Sequence, residues 1–143
     1  MHDANRLLQD QVAIVTGGGA GIGRAIALAF AAAGADIVIA DIVPERCEEV
    51  AARVREAGRA ALALPVDVSD TAALERLVEQ VDARFGRIDI LVNNAGGVAR
   101  RPFLEQREKN WRRLIELNFV SMLAATSAVV PVMIRGARGG AIV

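Results

Sequence analysis

The first stretch whose residues could do chemistry is a run of glycines between two apolar segments. Residues 12–30 read VAIVTGGGAGIGRAIALAF, in which a β-branched run leads into five glycines and an apolar helix pattern follows. Glycines at such a turn permit positive φ, bring backbone close to a ligand and let a helix pack tightly on a strand. The amide groups of a helix N-terminus bind phosphate. The stretch therefore predicts a phosphate-binding turn, with a ligand-free glycine turn as the alternative.

An acidic residue at the end of the next apolar run indicates which phosphate compound would bind. Asp41 closes the run DIVIAD, eighteen residues after Gly23. A carboxylate at about 20 residues from such a turn accepts hydrogen bonds from an adenosine ribose. Because a carboxylate repels a 2′-phosphate, Asp41 and the following Ile42 predict NAD rather than NADP as the cofactor. Arg24, just inside the first helix, is the feature that weakens this preference.

Strand and helix patterns alternate from the glycine turn onward. Short apolar runs bounded by glycine or proline predict strands, and apolar residues at helical spacing predict helices. Strands are expected at 12–16, 36–41, 60–66, 88–92 and 141–143, and helices from near Ile22, Pro44, an N-cap at Ser69, and Glu108. This order predicts a doubly wound parallel α/β sheet with helices on both faces. The expected organisation is one Rossmann domain over residues 1–143, truncated at the start of its fifth strand.

Composition argues against several classes of partner. Seventeen basic residues balance seventeen acidic ones in 143 residues, so the net charge favours neither nucleic acid nor an anionic membrane. The single cysteine, Cys47, and the single histidine, His2, offer no disulfide and no basis for a metal site. The uncharged run 118–134 is shorter than the ~20 residues of a bilayer span and predicts a buried helix. Since the N-terminus does not read as a secretory signal, a cytoplasmic protein is expected.

Four motifs, in order, resemble those of a known family. The turn reads T-G-x-x-x-G-I-G over residues 16–23, and it is followed by Asp67-Val68, by NNAG at 93–96 and by LNFVS around Asn118. Together they resemble the short-chain dehydrogenase/reductase family across nearly the whole chain. The resemblance implies an NAD-dependent oxidoreductase that interconverts a secondary alcohol and a ketone by hydride transfer, with a small-molecule alcohol or ketone as its substrate.

The resemblance also implies which residues hold the cofactor. Asp67 would border the adenine through its side chain and Val68 through its backbone, and NNAG would line the cofactor. The alternatives are a strand-end acid beside a helix cap for Asp67, turn formation for Asn93 and Asn94, and local hydrogen bonding for Thr16. The expected cofactor-binding residues are Thr16, Gly17, Gly19, Gly21, Ile22, Gly23, Asp41, Ile42, Asp67, Val68, Asn94, Ala95 and Gly96.

Asn118 is the candidate catalytic residue. It shares a helical stripe with apolar residues from Trp111 to Met122, so the pattern predicts an amide that faces the core and needs a partner. The resemblance implies that it is the member of a catalytic tetrad that holds a water in the proton relay. A satisfied core asparagine is the alternative. The other three residues of the family's catalytic tetrad are a serine, a tyrosine and a lysine, whereas this chain has no tyrosine and its one lysine is Lys109.

The missing tetrad groups leave two interpretations of the chain. It is either the cofactor-binding part of an ordinary family enzyme, whose serine segment and Tyr-x-x-x-Lys would follow Val143, or a non-catalytic NAD(H)-binding module. Sugars and polyols, steroids and 3-oxoacyl compounds all stay open as substrates. Arg100 and Arg101, after NNAGG, would either select an anionic substrate or lie in a solvated loop.

The helix that carries Asn118 has apolar residues around much of its circumference. They include Leu117, Phe119, Val120, Leu123 and Val129, which is more than one face of a sheet can cover. The resemblance implies that this helix takes part in subunit contacts. A homo-oligomer, a dimer or a tetramer, is therefore expected for the complete protein.

Overall fold

Five parallel strands form the centre of the structure, a computed structural model that describes residues 6–143. The strands are β1 (Val12–Thr16), β2 (Asp36–Asp41), β3 (Ala61–Pro65), β4 (Ile90–Val92) and β5 (Ala141–Ile142). Their order across the sheet is β3-β2-β1-β4-β5, and every neighbouring pair is parallel. The predicted doubly wound α/β fold is confirmed. His2 lies outside the described residues.

The helices begin and end at the signals that the sequence carries. They are α1 (Gly21–Ala32), α2 (Pro44–Glu56), α3 (Thr71–Phe85), α4 (Glu108–Ile115) and α5 (Ser121–Gly136), with a short 3₁₀ turn at Phe103–Glu105. Pro44 occupies the first turn of α2, where its missing N–H costs nothing. Gly34, Gly58 and Gly86 follow the first three helices with positive φ, which confirms the predicted helix ends.

Alternate residues of the central strands bury two separate cores. One face of the sheet, with Ala13, Val15 and Ile37, packs against α1 and α2. The opposite face, with Ile14 and Val38, packs against α3 and α5. Strands buried on both faces are nearly all apolar, which explains why β1 and β2 read as continuous β-branched runs. This double burial fixes the plane of the sheet and leaves its carboxyl ends open for a ligand.

The direction in which successive strands are added across the sheet reverses at β1. The chain proceeds outward from β1 through β2 to β3, and it then returns to place β4 on the other side of β1. In open α/β sheets, ligands bind at the carboxyl ends of the strands that flank such a reversal. The loops after β1 and β4 are therefore the expected walls of a ligand site.

Several expected boundaries are wrong by one or two residues, and side-chain contacts explain two of them. The predicted strand 88–92 begins at Ile90, because the Asp89 carboxylate rather than a strand carbonyl accepts the Val12 N–H, at 2.8 Å. The predicted N-cap of α3 was Ser69, but Asp70 caps this helix and accepts the Ala73 N–H at 3.1 Å. Ser69 is instead engaged with Asp67, which precedes it by two residues.

The segments α4 and α5 belong to one long helix that contains a π-helical turn. Glu116–Val120 is π-helical and includes Asn118, so the 3.6-residue periodicity does not continue from α4 into α5. The predicted core-facing stripe is consequently wrong: Trp111 is 40% exposed and Ile115 is 54% exposed. The residues that face the core are those of α5, including Ala125 and Val129.

The same long helix has the length and apolar composition of a membrane-spanning segment. Residues 108–136 form 29 helical residues that are apolar enough to cross a bilayer by length and composition only. Core helices of soluble proteins share this length and composition, and Val129, Val132 and Met133 pack in the core against α3 and the sheet. The expectation of a buried helix holds for that face and is wrong for the opposite one, where Leu123 and Ile134 are exposed.

The N-cap of α3 gives a prediction that separates Asp70 from Ser69. Asp70→Ala removes the side-chain acceptor of the first turn and should lower the free energy of unfolding by about 1 kcal/mol. Ser69→Ala removes no cap and should change it by less than about 0.5 kcal/mol. Urea denaturation of both variants measures the difference. A larger loss in Ser69→Ala than in Asp70→Ala would contradict the observed cap.

Candidate functional site

A cleft of about 470 Å³ lies at the carboxyl ends of the strands, where the chain reverses beside β1. Its walls come from the glycine turn, the ends of β2, β3 and β4, and one side of the long helix. Nine of the thirteen predicted cofactor-binding residues line it: Gly17, Gly21, Asp41, Ile42, Asp67, Val68, Asn94, Ala95 and Gly96. The fold thus brings together residues that are up to 79 positions apart in the chain.

The glycine turn exposes bare backbone to the cleft. Gly17 and Gly21 have φ of +63° and +53°, a region that residues with side chains rarely adopt. A Cβ on Gly23 would overlap the carbonyl oxygen of Gly17, so only glycine lets α1 approach β1 this closely. The N-cap Ala20 makes no side-chain cap, and the first turn of α1 has no acidic residue. The N–H groups of that turn therefore have no side chain competing for them.

Thr16 and Asn94 tie the glycine turn to the end of β4. The Thr16 hydroxyl donates to the Val92 carbonyl at 3.2 Å and accepts the N–H groups of Asn94 and Ala95 at 3.1 and 3.0 Å. The Asn94 amide donates to the carbonyls of Thr16 and Gly17, at 3.0 and 3.2 Å. Local bonding of Thr16 and simple turn formation by Asn94, the two alternatives, do not describe these long-range contacts. Thr16 is a buried support of the cleft.

The Asp41 carboxylate closes the side of the cleft formed by β2. One oxygen accepts the Gly19 N–H at 3.0 Å and the other accepts the Val43 N–H at 3.1 Å. A Cβ on Gly19 would lie only 2.8 Å from the carboxyl carbon, so Gly19 is needed for this contact. Each carboxylate oxygen can accept a second hydrogen bond. Asp41 is thus held rigidly with acceptor capacity to spare.

Asp67 and Val68 form the wall at the end of β3. The carboxylate of Asp67 accepts both the hydroxyl and the N–H of Ser69, at 2.6 and 2.9 Å. These hydrogen bonds lower the pKa of Asp67, and the positive charge of Arg113 lowers it further. Asp67 is exposed whereas Val68 is buried. The wall therefore offers a charged carboxylate beside an apolar surface.

Asn118 lies at the rim rather than inside the cleft. Its Oδ1 accepts the Gly97 N–H at 3.0 Å, and its Nδ2 donates to the carbonyls of Gly97 and Leu114, both at 2.9 Å. The expected partner exists, but the residue is exposed and is not a core asparagine. Both N–H groups of the amide are engaged, and Oδ1 keeps one lone pair that can accept from a water. Asn118 thus holds the loop after β4.

The remaining predicted residues support the cleft from outside it. Thr16, Gly19 and Gly23 are buried behind its surface, and Ile22 is 74% exposed on α1. Sequence reasoning missed several lining residues, which are Ala20, Ala40, Arg46, Val66, Ser69, Arg113 and Leu117. None of these residues belongs to a sequence motif with a characteristic spacing. Among residues 6–143, no group of three or more metal-ligating side chains occurs.

The family becomes clear from a match that covers nearly all of the chain. Residues 11–143 match the family model described as short chain dehydrogenase. The chain belongs to the short chain dehydrogenase family. Among curated family members it is 42% identical over 136 residues to galactitol 2-dehydrogenase of Agrobacterium fabrum, and 37% identical over 135 residues to 7alpha-hydroxysteroid dehydrogenase of Escherichia coli.

Solved structures of short chain dehydrogenases have the same fold as this chain. A 7 alpha-hydroxysteroid dehydrogenase complexed with NADH and 7-oxo glycochenodeoxycholic acid superposes with a TM-score of 0.92 at 37% identity, covering 99% of this chain and 55% of that one. The alignments with the two curated relatives named above cover 95% and 94% of this chain but 52% of each relative. The chain thus spans about half the length of the curated relatives it matches.

The Thr16 hydroxyl gives the prediction for this site. Thr16→Val keeps the volume but leaves two backbone N–H groups without an acceptor, which should cost about 1–3 kcal/mol of unfolding free energy. Thr16→Ser keeps the hydroxyl and loses a buried methyl, worth about 0.8 kcal/mol. Amide hydrogen exchange at Asn94 and Ala95 should accelerate in the valine variant and stay slow in the serine variant. Equal exchange in both variants would contradict the assigned role of the hydroxyl.

Proposed function

We propose that this chain binds NAD(H) in the cleft and is the cofactor-binding part of a dehydrogenase that interconverts a secondary alcohol and a ketone. The observation that carries the proposal is the pairing of bare backbone at Gly17 and Gly21 with the rigidly held Asp41 carboxylate. The first suits a pyrophosphate and the second suits a ribose diol. Both features border one cleft of about 470 Å³.

The chain's own residues would hold such a cofactor along the cleft. The N–H groups at the start of α1 would bind the pyrophosphate, and the free lone pairs of Asp41 would accept the adenosine ribose hydroxyls. Val66, Val68 and Leu117 give the cleft apolar walls, which suit an adenine ring. When bound, the cofactor supplies a hydride acceptor or donor. Asn118 would position the loop at Gly97 and offer Oδ1 to a water.

The groups that would move the substrate proton are proposed to follow Val143 in the complete protein. Coverage of about half of each relative supports this placement, because this chain carries the predicted cofactor motifs and leaves the other half of each relative unmatched. Lys109 is exposed on α4 and faces no tyrosine, since the chain contains none. The names of the relatives span polyols and steroids, so the substrate class is proposed only as a secondary alcohol or ketone.

A non-catalytic NAD(H)-binding module is the second candidate. It rests on the composition of the chain, which lacks the tyrosine and the neighbouring lysine of the family tetrad. The cleft would serve this function equally well, since binding needs no proton transfer. The coding sequence past Val143 separates the two candidates: a serine segment and Tyr-x-x-x-Lys support the dehydrogenase, and a natural stop codon supports the binding module.

Residues 1–143 expressed alone should form no NADH above background with a panel of secondary alcohols and polyols. Without a phenol and its lysine, a proton-transfer contribution of about 10²- to 10⁴-fold is lost. The full coding product, assayed in parallel, should turn over at least one member of the panel. Turnover by residues 1–143 that disappears in Asn118→Ala would overturn the proposal that the proton-transfer groups lie after Val143.

Cofactor choice gives a second prediction. The complete protein should bind NAD more tightly than NADP, because the Asp41 carboxylate repels a 2′-phosphate. Asp41→Asn should lower the ratio of the NADP dissociation constant to the NAD dissociation constant by about tenfold or more. Glu45→Gln removes a nearby negative charge that does not line the cleft and should leave the ratio unchanged. If Asp41→Asn weakened the binding of NAD and of NADP equally, the variant would be structurally damaged. That result would contradict the proposed role of Asp41 in choosing between the two cofactors.

We also propose a homo-oligomer assembled through the outer face of the long helix. Ile115, Phe119 and Leu123 are 54%, 53% and 51% exposed on that face, and Phe103 stacks on Trp111 beside it with ring centroids 5.7 Å apart. Exposed apolar area of this kind favours association. Light scattering of the complete protein at micromolar concentration should give a dimer or tetramer mass, and Leu123→Glu should lower it. A monomer mass for the unsubstituted protein would contradict this proposal.

A further inference from the structure

A second concave surface lies beside the cleft. This groove, of about 420 Å³, is formed by residues 97–101 together with Asn110, Arg113, Leu114 and Leu117 of the long helix. Arg113 and Leu117 also line the cleft, so the two spaces adjoin. Three of the residues that line the groove are arginines and none is acidic. We infer that this groove, which we name the arginine groove, binds the phosphate or carboxylate group of a small anionic ligand.

Among residues 6–143, no carboxylate forms a salt bridge with the three guanidinium groups of the arginine groove. Nine of the sixteen arginines among residues 6–143 form no salt bridge with a described acidic side chain, and three of these nine, Arg100, Arg101 and Arg113, line this one groove. The contrast is clearest within α4, where Arg112 pairs with Glu108 at 2.6 Å and stays outside the groove. Like charges around one concavity repel one another, so a bound anion would relieve that repulsion.

Asp67, an acid close enough to Arg113 for the two charges to interact, is already committed to another contact. Together with the hydrogen bonds from Ser69, the positive charge of Arg113 lowers the pKa of Asp67. The Asp67 carboxylate nevertheless accepts two hydrogen bonds from Ser69 and makes no salt bridge with Arg113. Asp67 lines the cleft and not the groove. The Arg113 guanidinium therefore keeps its hydrogen-bond donors for a ligand. Guanidinium groups bind phosphate and carboxylate oxygens in a bidentate way, which determines the chemical class of that ligand.

The loop that carries two of the arginines is anchored at both ends of the groove. At one end, Asn118 exchanges two hydrogen bonds with the backbone of Gly97, at 3.0 and 2.9 Å. At the other end, the Gln106 amide donates to the Arg101 carbonyl at 3.0 Å. A loop held in this way loses less entropy when a ligand binds. The groove is thus a prepared surface, and this inference depends on neither hydride transfer nor cofactor binding.

Anion titration of the full coding product tests the inference. Inorganic phosphate and citrate are titrated by calorimetry at constant ionic strength set with sodium chloride, with glycerol as the neutral probe. Arg100→Gln/Arg101→Gln should weaken binding of the anions by about tenfold or more, because both residues line only the groove. The matched control is Arg107→Gln/Arg112→Gln. It removes two positive charges from residues outside the groove and should leave the affinity for the anions unchanged.

A second arm repeats the titration with saturating NAD. Binding at the arginine groove should persist, whereas an anion held by the glycine turn would be displaced. A preference for phosphate over citrate would identify phosphate esters as the ligand class, and the reverse would identify carboxylates. Displacement by NAD, equal loss in the two double variants, or no anion binding would each overturn the inference. Failure of NAD to bind would bear on the proposed cofactor alone, since the phosphate arm is read without it.

Discussion

The hydrogen bonds between Thr16 and the segment after Val92 are the contact on which the site depends. They join the ends of β1 and β4 at the place where the chain reverses its direction across the sheet. Parallel strands that diverge there would leave polar backbone groups unpaired beside a cavity, at a cost of about 1–3 kcal/mol for each buried group. A single hydroxyl serves three of these groups. The glycine turn and the end of β4 are therefore held as one rigid wall.

Close backbone packing explains why glycines occupy this wall. Gly17 lies against Asn94 and Ala95, Gly19 lies against Asp41, and Gly23 lies against the Gly17 carbonyl. A Cβ at any of the three would push apart elements that the hydrogen bonds hold together. The same closeness adds bare backbone at Gly17 and Gly21 to the polar side chains that line the cleft. Packing of the domain and its capacity to bind a phosphate compound thus have one physical origin.

The long helix serves the rest of the molecule in two ways. One face of its C-terminal half, α5, packs on α3 and the sheet. Its N-terminal half, α4, projects beside the loop after β4, and the π-helical turn between them places Asn118 against Gly97. Through this amide, the loop with Arg100 and Arg101 is attached to the core. The cleft and the arginine groove share a wall, which Arg113 of α4 and Leu117 of the π-helical turn form.

The sequence by itself determined the succession of strands and helices along the chain, most helix ends and the positions of the predicted cofactor motifs. These features depend on local backbone preferences and on short spacings between residues. Gly34, Gly58 and Gly86 follow helix ends with positive φ, a backbone conformation that glycine favours by itself. Only the tertiary structure decided that Thr16 bonds to the end of β4 and that Asn118 bonds to Gly97 at the rim, since both contacts join residues that are far apart in the chain. The π-helical turn ended the helical periodicity from which the stripe around Asn118 was predicted. Arg46 and Arg113 reach the cleft from elements that no spacing rule connects, so only the packing of helices against the sheet reveals them.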